Sequence, residues 1–112
     1  MRIAIACDHA GFDIKDDIVL EVQRLGHDVI DLGTYNQEPV DYPDYAAKVA
    51  RAVKERTVDR GIAICGTGIG ASISANKVRG IRASLCTNGF MAEMTRAHND
   101  SNVLVLGARI TG

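Results

Sequence analysis

Five short apolar runs, each too short for a helix, alternate along this chain with segments whose apolar residues return every three or four positions. The runs are 2–6 (Arg-Ile-Ala-Ile-Ala), 29–32 (Val-Ile-Asp-Leu), 61–65 (Gly-Ile-Ala-Ile-Cys), 81–86 (Ile-Arg-Ala-Ser-Leu-Cys) and 103–106 (Val-Leu-Val-Leu). Such runs read as buried strands. Between the first two, Phe12, Ile14, Ile18, Val19, Val22 and Leu25 trace a helical stripe that Gly26 stops. Pro43 opens a second helix with Tyr45, Ala46, Val49, Ala50 and Val53 on its apolar face. A third runs over 69–77, where small residues allow close packing on a sheet, and a fourth over 89–97. Strand–helix alternation of this kind predicts an α/β fold, a Rossmann-like three-layer α/β/α sandwich around a five-stranded, mostly parallel sheet with right-handed crossovers. No helix follows the fifth strand, so part of one sheet face should stay uncovered unless another chain covers it.

At 112 residues the chain makes one domain, 1–112. A net charge of −1 with no basic patch and few aromatics argues against nucleic acid as a partner. Cys7, Cys65 and Cys86 lack Cys-x-x-Cys spacing and are odd in number. That disfavours both a zinc site and a disulfide framework and suits a reducing compartment. No apolar run reaches membrane-spanning length, and the N-terminus enters a strand with no charged leader, so the expectation is a cytoplasmic protein without a membrane partner.

The stretch Gly61 to Ser72 concentrates the chemistry. Gly66-Thr67-Gly68-Ile69-Gly70 reads as a tight turn from a strand into a helix. Glycines let a backbone approach a ligand closely, and the first N–H groups of a helix have no partner within it and favour an anion. Cys65 stands at that junction, where the helix end favours its thiolate, a base or nucleophile. Against this stands the commoner fate of a free cysteine, an inert buried hydrophobe. The loop also lacks both the Gly-x-Gly-x-x-Gly spacing of dinucleotide sites and the terminal Gly-Lys-Ser/Thr of a P-loop. What strengthens it is its place at the carboxyl end of a strand, where open α/β sheets bind ligands.

Asp8 and His9 follow the first strand and so share that edge. Asp8 serves equally well as a helix cap, and His9 as a solvated loop residue. Tyr42 reads as a lid or, more simply, a core-edge aromatic. His98-Asn99-Asp100-Ser101-Asn102 is a run of polar residues between a helix and a strand, which a plain hydrophilic turn would explain. As an αβ turn it belongs on the opposite edge, far from Cys65 of the same chain. A catalytic role for it therefore predicts a dimer with shared sites.

Taken together, Ile5-Ala-Cys-Asp-His-Ala-Gly11, Asp41-Tyr-Pro43, Ile64-Cys-Gly-Thr-Gly-Ile-Gly70 with Ala75-Asn-Lys77, Gly80-Ile-Arg-Ala83 and His98-Asn-Asp-Ser-Asn-Val-Leu104 resemble the ribose-5-phosphate isomerase type B family, in register from residue 2 to Gly112. The resemblance implies aldose–ketose interconversion of a phosphorylated sugar through an enediolate, with no metal and no cofactor. It makes Cys65 the base, Thr67 an aid to ring opening or proton shuttling, and His98 the ring-opening acid. The branch that uses a glutamate places it where Ala71 stands here. The backbone of Gly66, Gly68, Ile69 and Gly70 becomes the anion hole, Asp8 and Asn99 bind sugar oxygens, and His9 and Arg109 bind phosphate. The resemblance further implies a homodimer with shared sites, or a tetramer built from it. It also implies a long C-terminal helix and tail with further phosphate-binding arginines, which do not follow Gly112 here. Two other readings stay open on the residues alone, a non-catalytic sugar-phosphate-binding module and a galactose-6-phosphate isomerase subunit.

Overall fold

The computed structural model describes residues 1–33 and 42–110, with the backbone alone for 42–44. Most of the polar turn read over 33–39, the Asp41-Tyr-Pro motif and the Tyr42 side chain thus lie outside the described residues. The order is β1 (Arg2–Cys7), a 3₁₀ turn (His9–Gly11), α1 (Phe12–Arg24), β2 (Asp28–Asp31), α2 (Tyr42–Lys54), β3 (Arg60–Cys65), α3 (Ile69–Asn76), β4 (Ala83–Leu85), α4 (Gly89–Asn99) and β5 (Val103–Gly107). All strand pairs are parallel, in the order β2-β1-β3-β5-β4. The expected α/β architecture is therefore the observed one.

The two faces of the sheet are unlike, and the sequence shows why. On β1, β3 and β5, Ala4, Ala6, Ala63, Cys65, Val103 and Val105 point to one side, where α2 and α3 cover them. Their small side chains bring α2 close. A Cβ on Gly61 would collide with Val49 of α2. The larger Ile3, Ile5, Cys7, Ile62 and Ile64 point to the other side, against α1. Central strands covered on both faces must be apolar at consecutive positions, and β1 and β3 each bury five residues in a row.

Coverage of the second face by the described residues is incomplete. None of the side chains of α4 is buried, Phe90 is 69% exposed, and an apolar cleft of about 350 Å³ opens among Ala92, Thr95, Ile3, Ile62 and Leu104.

Several boundaries differ from the sequence reading by a residue or two, and three of the differences have a local cause. Residues 9–11, read as loop, form a 3₁₀ turn because the Asp8 carboxylate accepts from the backbone N–H groups of Ala10 (2.9 Å) and Gly11 (3.2 Å). β4 starts at Ala83 rather than residue 81, because the Arg82 N–H donates to the Asn102 side chain (2.8 Å) instead of to a strand. α4 runs on to Asn99, with Asp100 in the left-handed conformation as its cap.

Candidate active site

Strand order reverses between β1 and β3, since β1 leads outward to β2 while β3 is followed by strands on its other side. The crevice beyond the carboxyl ends at such a switch point is where doubly wound sheets bind ligands. Three segments meet there. Asp8 follows β1, and its backbone N–H donates to the Ile64 carbonyl (3.1 Å). The Gly66–Gly70 loop follows β3. Beyond β5, the N–H groups of Ala108 and Arg109 donate to the carbonyls of Cys65 (2.8 Å) and Gly66 (2.9 Å).

Cys65 is 5% exposed, and its Sγ accepts a hydrogen bond from the Gly68 N–H at 3.2 Å. That bond fixes the sulfur against the backbone of the loop. Gly68 provides it from φ 85°, a left-handed conformation for which glycine is suited, and a Cβ there would collide with Leu85 Cδ1. Thr67 is exposed, and its Oγ1 accepts from the Ile69 N–H (3.3 Å). α3 begins immediately after, so its first-turn N–H groups, Ile69 and Gly70 among them, are turned toward this edge. The Arg109 guanidinium lies over the loop, with Nη1 3.3 Å from the place a Gly66 Cβ would take.

Asp8 is 6% exposed, and both of its capping bonds use Oδ1, so neither uses Oδ2. His9, half-buried, is the first residue of the 3₁₀ turn. Asp8, His9, Cys65, Thr67, the loop glycines, Ile69 and Arg109 therefore gather on one edge of the sheet.

His98 and Asn99 do not join them. They are exposed on the last turn of α4, at the edge where the strands begin. There the Asn102 carbonyl accepts from Gly61 N–H (3.1 Å), and Arg2, Arg60, Arg82 and Asp100 line a polar cleft of about 450 Å³. These arginines serve carbonyls near the chain's turns: Arg2 donates to the Arg56 carbonyl (3.4 Å) and Arg82 to that of Asp100 (2.8 Å).

Gly107 was not singled out by sequence reasoning. A Cβ on it would lie 2.5 Å from the Thr67 carbonyl carbon and closer still to its oxygen, so glycine here lets the site loop rest on β5. The only sequence signal is a glycine ending an apolar strand, and the contact that requires it exists only in three dimensions. Of the other thiols, Cys86 is 3% exposed and burial pushes its pKa up, which agrees with a packing role. Among the described residues no three His, Cys, Asp or Glu side chains gather to hold a metal ion. No helix of the described residues is long and apolar enough to cross a membrane.

The model of the ribose/galactose isomerase family matches residues 3–112. The chain belongs to the ribose/galactose isomerase family. Its members include ribose-5-phosphate isomerase B of Escherichia coli, 51% identical over 99% of this chain and 74% of that protein. A galactose-6-phosphate isomerase subunit of Clostridium acetobutylicum is 43% identical over all of this chain and 65% of that one. Among solved structures, ribose-5-phosphate isomerase B of Clostridium thermocellum superposes with a TM-score of 0.98 at 55% identity, covering 100% of this chain and 76% of that one. The Mycoplasma genitalium enzyme, solved with bound ribulose-5-phosphate, gives 0.93 at 40% identity over 99% and 74%. This isomerase thus spans about three quarters of the length of most of these relatives.

Proposed function

We propose that this isomerase interconverts ribose 5-phosphate and ribulose 5-phosphate by proton transfer between C2 and C1, with the Cys65 thiolate as the base. The observation that carries the reading is the Gly68 N–H held against Cys65 Sγ inside a glycine loop at the sheet's switch point. The thiolate removes the C2 proton of the open-chain aldose. The electron pair left on C2 forms the C1–C2 double bond, and the carbonyl π pair moves to O1, giving an enediolate. The new thiol then returns the proton to C1 while C2 becomes the carbonyl and the proton of O2 passes to O1. Backbone N–H groups of the loop are the donors for the developing oxyanion: those of Gly66 and Gly70, joined by those of Gly68 and Ile69 once their protons turn from Cys65 Sγ and Thr67 Oγ1 to the substrate. Arg109 and His9 hold the phosphate, since a guanidinium grips it with two donors. Asp8, through Oδ2, and Asn99 bind sugar oxygens, Thr67 shuttles protons near the ring oxygen, and His98 protonates it as the furanose opens.

In this reading His98 and Asn99 come from a second copy, because within one chain they stand at the other end of the strands. The open apolar face beside α4, with Phe90 and Met91 exposed, is surface such a partner would cover. Mixing inactive Cys65→Ala and His98→Ala subunits should restore about a quarter of wild-type turnover, because half of the dimers carry one intact site of two. No recovery contradicts the shared site.

The activity itself is tested by incubating the protein with ribose 5-phosphate in deuterated water. Ribulose 5-phosphate should accumulate and deuterium enter C1. Binding without turnover or exchange would instead mark a sugar-phosphate-binding module. The galactose-6-phosphate isomerase subunit at 43% identity is a specific reason to assay galactose 6-phosphate beside the pentose.

A further inference from the structure

The last turn of α4 carries His98 and Asn99, yet the helix has no buried side chain to hold it in place. What ties it down is polar. Ser84 Oγ of β4 stands 2.5 Å from Thr95 Oγ1 and 2.5 Å from Ser101 Oγ, and Thr95 and Ser101 close the triangle at 2.5 Å. Each hydroxyl has one proton to donate and room to accept. The three can therefore close a hydrogen-bonded ring, each donating once and accepting once. Ser101 is 5% exposed, while Ser84 and Thr95 are half-buried beside the open clefts of this face.

Further bonds converge on the same turn. Arg96 Nη1 donates to the Ser101 carbonyl (2.5 Å) and to Asp100 Oδ1 (3.1 Å). Arg82 Nε donates to the Asp100 carbonyl (2.8 Å), and Asn102 Nδ2 to that of Gly80 (3.2 Å). Asp100 itself sits at φ 50°, a conformation sparsely populated by residues with a Cβ. Such a residue persists where its surroundings over-determine it. Thr95 lies three and four positions before His98 and Asn99, one helical turn beneath them.

We propose that the Ser84–Thr95–Ser101 hydroxyl triangle is a positioning device for His98, with Thr95 its member on α4. The inference rests on the role given to His98 above. If His98 opens the sugar ring, loosening its turn impairs reaction from the closed aldose. It spares proton exchange on ribulose 5-phosphate, which has no furanose to open because its C5 oxygen carries the phosphate.

Thr95→Val removes the hydroxyl at nearly constant volume and Thr95→Ser keeps it. Ser84→Ala breaks the same triangle from β4 should the valine variant fold poorly. Three quantities are measured: amide hydrogen exchange at residues 98–102, turnover of ribose 5-phosphate, and deuterium uptake at C1 of ribulose 5-phosphate. Thr95→Val should speed amide exchange roughly tenfold and lower kcat from ribose 5-phosphate roughly tenfold, with KM raised at most about threefold through Asn99, as expected when a hydroxyl hydrogen bond beneath a positioned group is removed. Uptake at C1 should stay within about twofold, and Thr95→Ser should restore all three. Unchanged amide exchange overturns the clamp. A loosened turn with full turnover, or equal loss in both reactions, overturns the positioning role. A wild-type protein that neither turns over nor exchanges refutes the proposed function and this inference with it, and it does so before any substitution is made.

Discussion

Gly107→Ala should damage activity more than stability. The added Cβ would lie 2.5 Å from the carbonyl carbon of Thr67 and 3.0 Å from its Cα. Ordinary carbon–carbon contact is about 3.5–4.0 Å, so the loop must retreat by about 1 Å. Every atom struck is backbone, so no rotamer change relieves the clash. Overpacking of this kind costs about 1–3 kcal/mol. The alanine recovers about 0.4–1 kcal/mol by restricting the unfolded chain, which leaves a net loss of about 1–2 kcal/mol. The retreat carries Gly68 with it, and a 1 Å lengthening takes its 3.2 Å N–H···Sγ bond to Cys65 out of range. A misplacement of about 1 Å at a reacting group costs on the order of 10²-fold in rate, or about 2.7 kcal/mol of barrier. Urea denaturation gives the first quantity and kcat on ribose 5-phosphate the second. Gly89→Ala is the control, because a Cβ there meets nothing within 4 Å. Wild-type turnover in a stably folded Gly107→Ala protein would refute the loop geometry as the source of catalysis.

Lys15 Nζ lies 2.8 Å from Asp31 Oδ2 with 3% of its side chain exposed, while Asp31 is 33% exposed. Lys15→Met should therefore destabilise by about 2–3 kcal/mol, less than a fully buried pair loses because water still reaches the Asp31 carboxylate and the Gly33 N–H still donates to its Oδ1. Denaturant midpoints check this, and a change below about 0.5 kcal/mol would place the pair among ordinary surface contacts. Burial holds the Cys86 thiol neutral and raises its pKa above the unfolded value. The folded state then keeps a proton that the unfolded chain releases, so this contribution is complete below about pH 8.5 and is lost as pH climbs from there toward the folded pKa. Cys86→Ala should flatten that alkaline decline in urea midpoints measured from pH 7 to 10; an equally steep decline would assign it to other groups.

Much of the fold could be read from the residues because β1 and β3 are covered on both faces and so are apolar at consecutive positions. The glycine loop was legible for a related reason, as its backbone demands are local. The start of β4 was not, because Arg82 finds its partner in the side chain of Asn102, and the end of α4 was hidden among polar residues. Lys15 resembles any solvated helix lysine until Asp31 is placed beside it. Gly107, Ser84, Thr95 and Ser101 are common residue types whose meaning comes from contacts between distant parts of the chain. Resemblance to a family supplied roles for His98 and Asn99 that this single chain, with both at the far edge of the sheet, does not display.

The most direct measurement follows the C2 proton. Cys65→Ala, shown by its denaturation curve to be folded, is incubated with ribose 5-phosphate deuterated at C2 beside the wild type. The wild-type protein should release or transfer the label with each turnover, while the alanine variant should keep it at C2 with turnover down by at least about 10²–10⁴-fold, the usual worth of a positioned base. Label lost at an undiminished rate without the thiol would mean that another group takes the proton.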